Sequence, residues 1–227
     1  MNARTHCVFC NEAILGTSRD SDTNLGLRRS FLIPDYPECA LLADRSPARV
    51  GHSLIIPRLH TPSFSDAFPD FADCKAVILA VGDRLLARPL WQTGVLFFEH
   101  GRKDPLNSGA CIEHAHIHAI PASRLDAERI WAKIRQRADA EGYATVDAES
   151  CWFANSEYYW FGFLSSPGNL ATIGIIATGL HRAGRLLLAE TTEAFSCEGE
   201  LPPRRIECRE TVRALLDAGF NLGPGPH

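Results

Sequence analysis

The chain has 227 residues, 45% hydrophobic and 22% charged, which suits one sizeable domain or a compact domain with an extension and excludes wholesale disorder. A formal net charge of -4 argues against a broad surface for duplex nucleic acid, which needs clustered Lys and Arg, but leaves room for a local phosphate pocket. The first residues contain no signal-peptide apolar run, and no stretch of about eighteen apolar residues occurs anywhere, so a cytoplasmic location without membrane contact is expected.

Cys7 and Cys10 come first, in C-x-x-C spacing that lets two thiolates grip one metal ion. The other six cysteines are dispersed, and reduced thiols are expected of them. Residues 16–24, rich in Gly, Ser, Thr and Asp, read as a loop. Three short apolar runs, residues 30–34, 39–43 and 52–57, are separated by turn residues, as expected of neighbouring antiparallel strands. Apolar residues then recur at helical spacing from Phe64 to about Ala87, predicting an amphipathic helix that starts near Pro69 and covers the sheet.

Two further strands are predicted at 94–98 and 114–120, joined by a loop over 99–109 where Gly, Pro, Asn and Ser concentrate. Ser123 suits the N-cap of a helix running to about Ala140, with Leu125, Ile130, Ile134 and Ala138 along one side. Beyond Tyr143, residues 157–161, 171–176 and 185–188 read as strands and 204–218 as a closing helix.

The chemistry concentrates in residues 114–121, where His114, His116 and His118 alternate with apolar residues. On a strand, such alternation presents all three imidazoles on one face, which suggests metal binding, proton relay or phosphate recognition.

Residues 114–120 resemble the His-φ-His-φ-His-φ-φ signature of the histidine triad (HIT) superfamily. Residues 51–60, Gly-His-Ser-Leu-Ile-Ile-Pro-Arg-Leu-His, are similar to that family's upstream segment, with Arg58 in place of the usual lysine. Cys7-Val-Phe-Cys10 resembles the metal pair of its zinc-containing bacterial members. The resemblance covers residues 5–121 and implies an α+β fold, a HIT-like antiparallel sheet with packed helices, over residues 1–143. Residues 144–227 are then a C-terminal α/β extension packed on it.

By the same resemblance, Cys7, Cys10, His60 and His114 are the ligands of a structural zinc ion, a closed set of two thiolates and two imidazoles. His116 corresponds to the family's nucleophile, which attacks the α-phosphorus of a nucleotide, and His118 and His52 lie beside the phosphate. Asp44 stands where relatives place an acceptor for ribose hydroxyls, and it reads equally well as a turn residue before Arg45-Ser46-Pro47.

Glu99 and Cys111 are further substrate-binding candidates. Glu99-His100-Gly101 replaces the Asn-x-Gly of shorter members, making Glu99 a polar lip of the pocket, and Cys111 replaces a serine near the phosphate. Cys111 also fits a small buried residue, His100 a solvated loop residue, and the aromatic run 158–161 either core, a subunit contact or a base-stacking wall.

The resemblance implies a nucleotide phosphate hydrolase with a covalent nucleotidyl-histidine intermediate, acting on a dinucleoside polyphosphate or a nucleoside phosphoramidate, and a homodimer as is common in the family. Nucleotidyl transfer to phosphate or another acceptor is the neighbouring enzyme reading. A zinc-stabilised nucleotide-binding or scaffold protein with little turnover is the reading from another class.

Overall fold

The computed structural model describes residues 7, 9–10, 29–101, 114–153, 157–176 and 205–222. Nine strands among them form one sheet: β1 (Ser30–Leu32), β2 (Cys39–Ala43), β3 (Ser53–Pro57), β4 (Val95–Gly101), β5 (Ile117–Pro121), β6 (Ala144–Val146), β7 (Tyr158–Leu164), β8 (Leu170–Ile176) and β9 (Asn221–Leu222), in the order β6-β8-β7-β4-β5-β3-β2-β1-β9. Every pairing is antiparallel. Among the described residues the helices are α1 (Phe64–Ala67), α2 (Phe71–Leu86), α3 (Arg124–Glu141), α4 (Ala148–Phe153) and α5 (Arg205–Asp217), with a 3-10 turn at Pro89–Trp91. The mixed helical and antiparallel architecture is the expected α+β class.

Strand alternation sorts the core into two sides. Leu41, Ile55, Val95, Phe97, Ile117, Ala119 and Trp160 face α2, α4 and α5. Leu96, Phe98, Ile120, Tyr159, Phe161 and Phe163 face α3, which contributes Ala127, Ile130, Ile134 and Ala138. Farther along that second side, Phe9 packs on Ala40, Leu42, Leu54 and Ile56. The described part of the site lies between α3 and Phe9.

The helix expected to start near Pro69 is α2, and the apolar residues before it form a separate short helix, α1. Ser63 and Asp70 each cap a helix start with their side chains, and Pro69 stands in the break between α1 and α2. Ser123 caps α3 as expected, in a reciprocal capping box with Asp126, and Gly142 ends that helix at φ 75.

Strand β4 is longer than its sequence suggests. The predicted loop begins at Glu99, but β7 offers partners for three more residues, with Glu99 opposite Trp160, His100 opposite Tyr159 and Gly101 opposite Tyr158. The aromatic run accordingly lies in the core: all seven residues of β7 are buried, between β4 and β8. Residues 185–188, predicted as a strand, lie outside the described residues.

Candidate active site

Strand β5 begins only at Ile117, so His114 and His116 precede its paired stretch. The backbone there is held instead by Ala115 N–H donating to Thr61 O at 2.7 Å. The three triad rings nonetheless follow one another: Phe9 meets His114 and His116 edge-on at 6.0 and 5.2 Å between ring centres, and His116 meets His118 at 4.9 Å.

Each imidazole has a partner that fixes its tautomer. His116 donates from Nδ1 to the His114 carbonyl at 2.9 Å, so in the neutral ring the lone pair sits on Nε2. His52, fully buried, accepts the Ala48 N–H on Nδ1 at 2.9 Å, which puts its proton on Nε2. That proton goes to His118 Nδ1 at 2.8 Å, and the His118 proton is consequently on Nε2. Beneath it, the Phe98 ring stacks on His118 at 4.1 Å and 14°.

Gly51 makes this placement of His52 possible. Its φ of +91 lies in the left-handed region, and a Cβ there would meet Pro121 Cγ at 2.6 Å, so only glycine lets the turn pass against the end of β5. Arg49 secures the same turn from outside, donating to Pro121 O at 3.0 Å and lying 3.6 Å from Asp126 at the head of α3.

Asp44 is buried beside this pair. Its Oδ1 accepts the Ser46 N–H at 2.9 Å, the turn role read from the sequence, and its Oδ2 lies 3.5 Å from His52 Nε2. The Oδ2 contact is long for a hydrogen bond, so His118 is the better acceptor for the His52 proton.

Next to the triad, Cys7, Cys10, His60 and His114 bring four donor atoms within 4.8 Å of one another, a set able to hold a metal ion. His114 Nδ1 lies 3.5 Å from Cys7 Sγ and 3.4 Å from Cys10 Sγ, and His60 Nδ1 lies 3.2 Å from Cys10 Sγ. Tetrahedral coordination at ordinary zinc bond lengths gives S···N edges of about 3.5 Å, so the four residues fit such an ion. His114 donates its other nitrogen, Nε2, to Pro57 O at 2.7 Å, which turns the Nδ1 lone pair toward the sulfurs as outer-shell partners of metal-bound histidines do. Burial holds the His114 pKa down at about 4, against the opposing pull of the Pro57 carbonyl, and the ring is neutral near pH 7.

No family model matches the chain. Over 96 residues it is 34% identical to a protein of Arabidopsis thaliana named adenylylsulfatase HINT3, a match covering 41% of this chain and 45% of that relative. This likeness agrees with the resemblance to the histidine triad superfamily carried by residues 51–60 and 114–120. The matched segment thus spans less than half the length of the curated relative. A solved structure of a Hit-like protein involved in cell-cycle regulation, from Bartonella henselae, is similar over 42% of this chain and 68% of its own at 23% identity, with a TM-score of 0.31.

The histidine triad signature residues and Asp44 come together, but Glu99 does not join them. Instead of forming a lip, its carboxylate is fully buried on the α2 side, where Oε1 accepts the Phe64 N–H at 2.6 Å and Oε2 accepts the Tyr158 hydroxyl at 2.9 Å. Alternation along the extended β4 decides this: Glu99 follows Val95 and Phe97 to one side, and His100 follows Phe98 to the other. His100 is likewise not a solvated loop residue. It stacks on Tyr159 at 4.4 Å and 7° and is hydrogen-bonded through Nε2 to Glu157. Cys111 lies outside the described residues.

Three contributors escaped the sequence reading. Phe98 and Phe9 shape the ring environment, and Thr211, on α5, reaches the turn that carries His52. The alternation of β4 could have pointed to Phe98; nothing local points to Thr211.

Proposed function

We propose that this protein is a histidine triad nucleotide phosphate hydrolase that forms a covalent nucleotidyl intermediate on His116. The observation carrying this reading is the 2.9 Å bond from His116 Nδ1 to the His114 carbonyl, which leaves the Nε2 lone pair for attack. In the proposed first step Nε2 forms a bond to the α-phosphorus as the bond to the leaving group breaks. In the second, water forms the new P–O bond as the P–Nε2 bond breaks, a water proton passes to solvent, and the nucleotide leaves with His116 neutral again. The His118 proton on Nε2 is supplied through the His52 contact as a hydrogen bond for a phosphoryl oxygen as charge develops.

The substrate class is a dinucleoside polyphosphate or a nucleoside phosphoramidate, as the family resemblance implies. The name of the Arabidopsis relative adds adenylyl sulfate, another nucleoside 5′-phosphoryl compound, to the candidates. Asp44 is read as an acceptor for ribose hydroxyls that also braces its own turn. Residues 1–143 are the catalytic unit in this reading and residues 144–227 the extension, supported by the position of every proposed catalytic and metal residue before Pro121.

Cys7, Cys10, His60 and His114 would hold a structural zinc ion, whose chemistry is to close a four-ligand knot without activating water. His114 belongs to both assemblies, since its side chain faces the sulfurs and its carbonyl orients His116.

Intact-protein mass spectrometry after brief incubation with adenine and guanine dinucleotides, phosphoramidates and adenylyl sulfate tests the reading. A gain of one nucleotidyl group on the wild type and none on His116→Ala is the expected result. Turnover with no adduct, and with His116→Ala as active as the wild type, would overturn it.

A further inference from the structure

The turn before His52 is gripped from a distant part of the chain. Gly51 N–H, buried and pinched between Pro121, Leu90 and Trp91, donates to Thr211 Oγ1 at 2.8 Å. Thr211 is fully buried on α5 and donates its own hydroxyl proton to Glu207 O at 2.8 Å, so the acceptor lone pair is aimed by the helix itself. Cys208, Val212 and Leu215 seat α5 in the core shared with α2, which leaves the hydroxyl little freedom.

The next residue is the one that sets the relay. His52 takes the Ala48 N–H on Nδ1 and gives its Nε2 proton to His118, and Gly51 directly precedes it in the turn that also holds the His52 N–H on Arg49 O. We propose that Thr211 is a positioning residue for the site: by holding Gly51 N–H it fixes the His52 ring, and through it the Nε2–H tautomer of His118. The functional consequence rests on the hydrolase reading above, whereas the geometric claim does not.

The expected sequence of effects is definite. Thr211→Val keeps the shape of the side chain and its methyl packing but leaves a buried N–H with no acceptor. The turn then relaxes, and a small displacement of His52 lowers turnover while substrate contacts elsewhere are kept, so kcat falls by about ten- to a hundredfold with KM little changed. Thr211→Ser restores the acceptor and returns most of the loss.

The experiment combines kinetics on Thr211→Val and Thr211→Ser with long-range nitrogen NMR of the imidazoles and hydrogen exchange of the Gly51 amide. A slowly exchanging Gly51 amide in the wild type, faster exchange and altered His52 and His118 ring-nitrogen signals in Thr211→Val, and recovery of both in Thr211→Ser support the inference. Wild-type ring signals and Gly51 exchange in Thr211→Val overturn it. So does a kcat loss that Thr211→Ser leaves unrepaired. Should Thr211→Val not fold, Thr211→Ala under the same NMR and exchange readouts decides between the same outcomes. Absence of turnover in the wild type would count against the hydrolase reading alone, because the NMR and exchange results stand without it.

Discussion

The Glu99 carboxylate and the Tyr158 hydroxyl meet at 2.9 Å in the interior, joining β4 to β7. The same carboxylate receives the Phe64 N–H at the start of α1, and the Ser65 N–H approaches the Tyr158 oxygen at 3.4 Å. Three residues earlier than Phe64, Thr61 O holds Ala115 in the triad segment. A buried carboxylate with such partners is expensive to disturb, because removing one donor exposes the full desolvation cost. Burial first and Glu99 second hold the Tyr158 hydroxyl well above its ordinary pKa, keeping it protonated as the donor this bond needs.

Tyr158→Phe therefore destabilises the protein by about 1–3 kcal/mol despite its matched shape. Urea unfolding of the two proteins measures this directly. An unchanged midpoint would mean that Glu99 is satisfied without the hydroxyl.

Metal analysis of the purified protein is expected to give one zinc per chain, with Cys10→Ser retaining a small fraction of it. Chelation lowers the melting temperature of the wild type and has little further effect on Cys10→Ser, since binding energy at such a site is folding energy. Equal melting with and without chelator would remove the structural role.

Asp44 separates its two roles by substrate choice. If the carboxylate accepts ribose hydroxyls, a 2′-deoxy substrate loses about tenfold in kcat/KM on the wild type and much less on Asp44→Asn, because the lost contact is then shared. Equal discrimination by both proteins assigns Asp44 to the Ser46 turn and the neighbourhood of His52 alone.

The buried thiols give a pH prediction. Burial, with a smaller push from Glu38, raises Cys39 from 9.0 to about 12, and burial, with Glu99 nearby, raises Cys74 well above 9.0. A pKa raised on folding stabilises fully below the unfolded value and loses that contribution as pH climbs through the folded one, so the effect is complete below about pH 9 and drains away toward pH 12. Iodoacetamide at pH 8 should leave Cys39 and Cys74 unmodified in the folded protein and alkylate both in urea, as peptide mapping would read. Rapid native labelling of Cys39 would contradict its burial.

Residues whose partners lie nearby in sequence were legible without coordinates. Short apolar runs between turn residues placed β2 and β3, and Ser123 marked the start of α3, because turn chemistry and capping are local. Side-chain chemistry also showed locally in His114, His116 and His118 and in the Cys7 and Cys10 pair, whose residue types and spacing suit the geometry now seen around them.

Tertiary structure alone decided what those residues face. The carbonyl of His114 orients His116, Ala48 and His118 settle the His52 tautomer, and Thr211 comes to Gly51 from 160 positions away. Glu99 became a buried anchor because β7 extended β4 by three residues and turned its side chain to the α2 side. A hydrogen bond depends on where two groups meet in space, and for groups far apart in the chain that meeting is fixed by sheet order and packing, which no local pattern encodes.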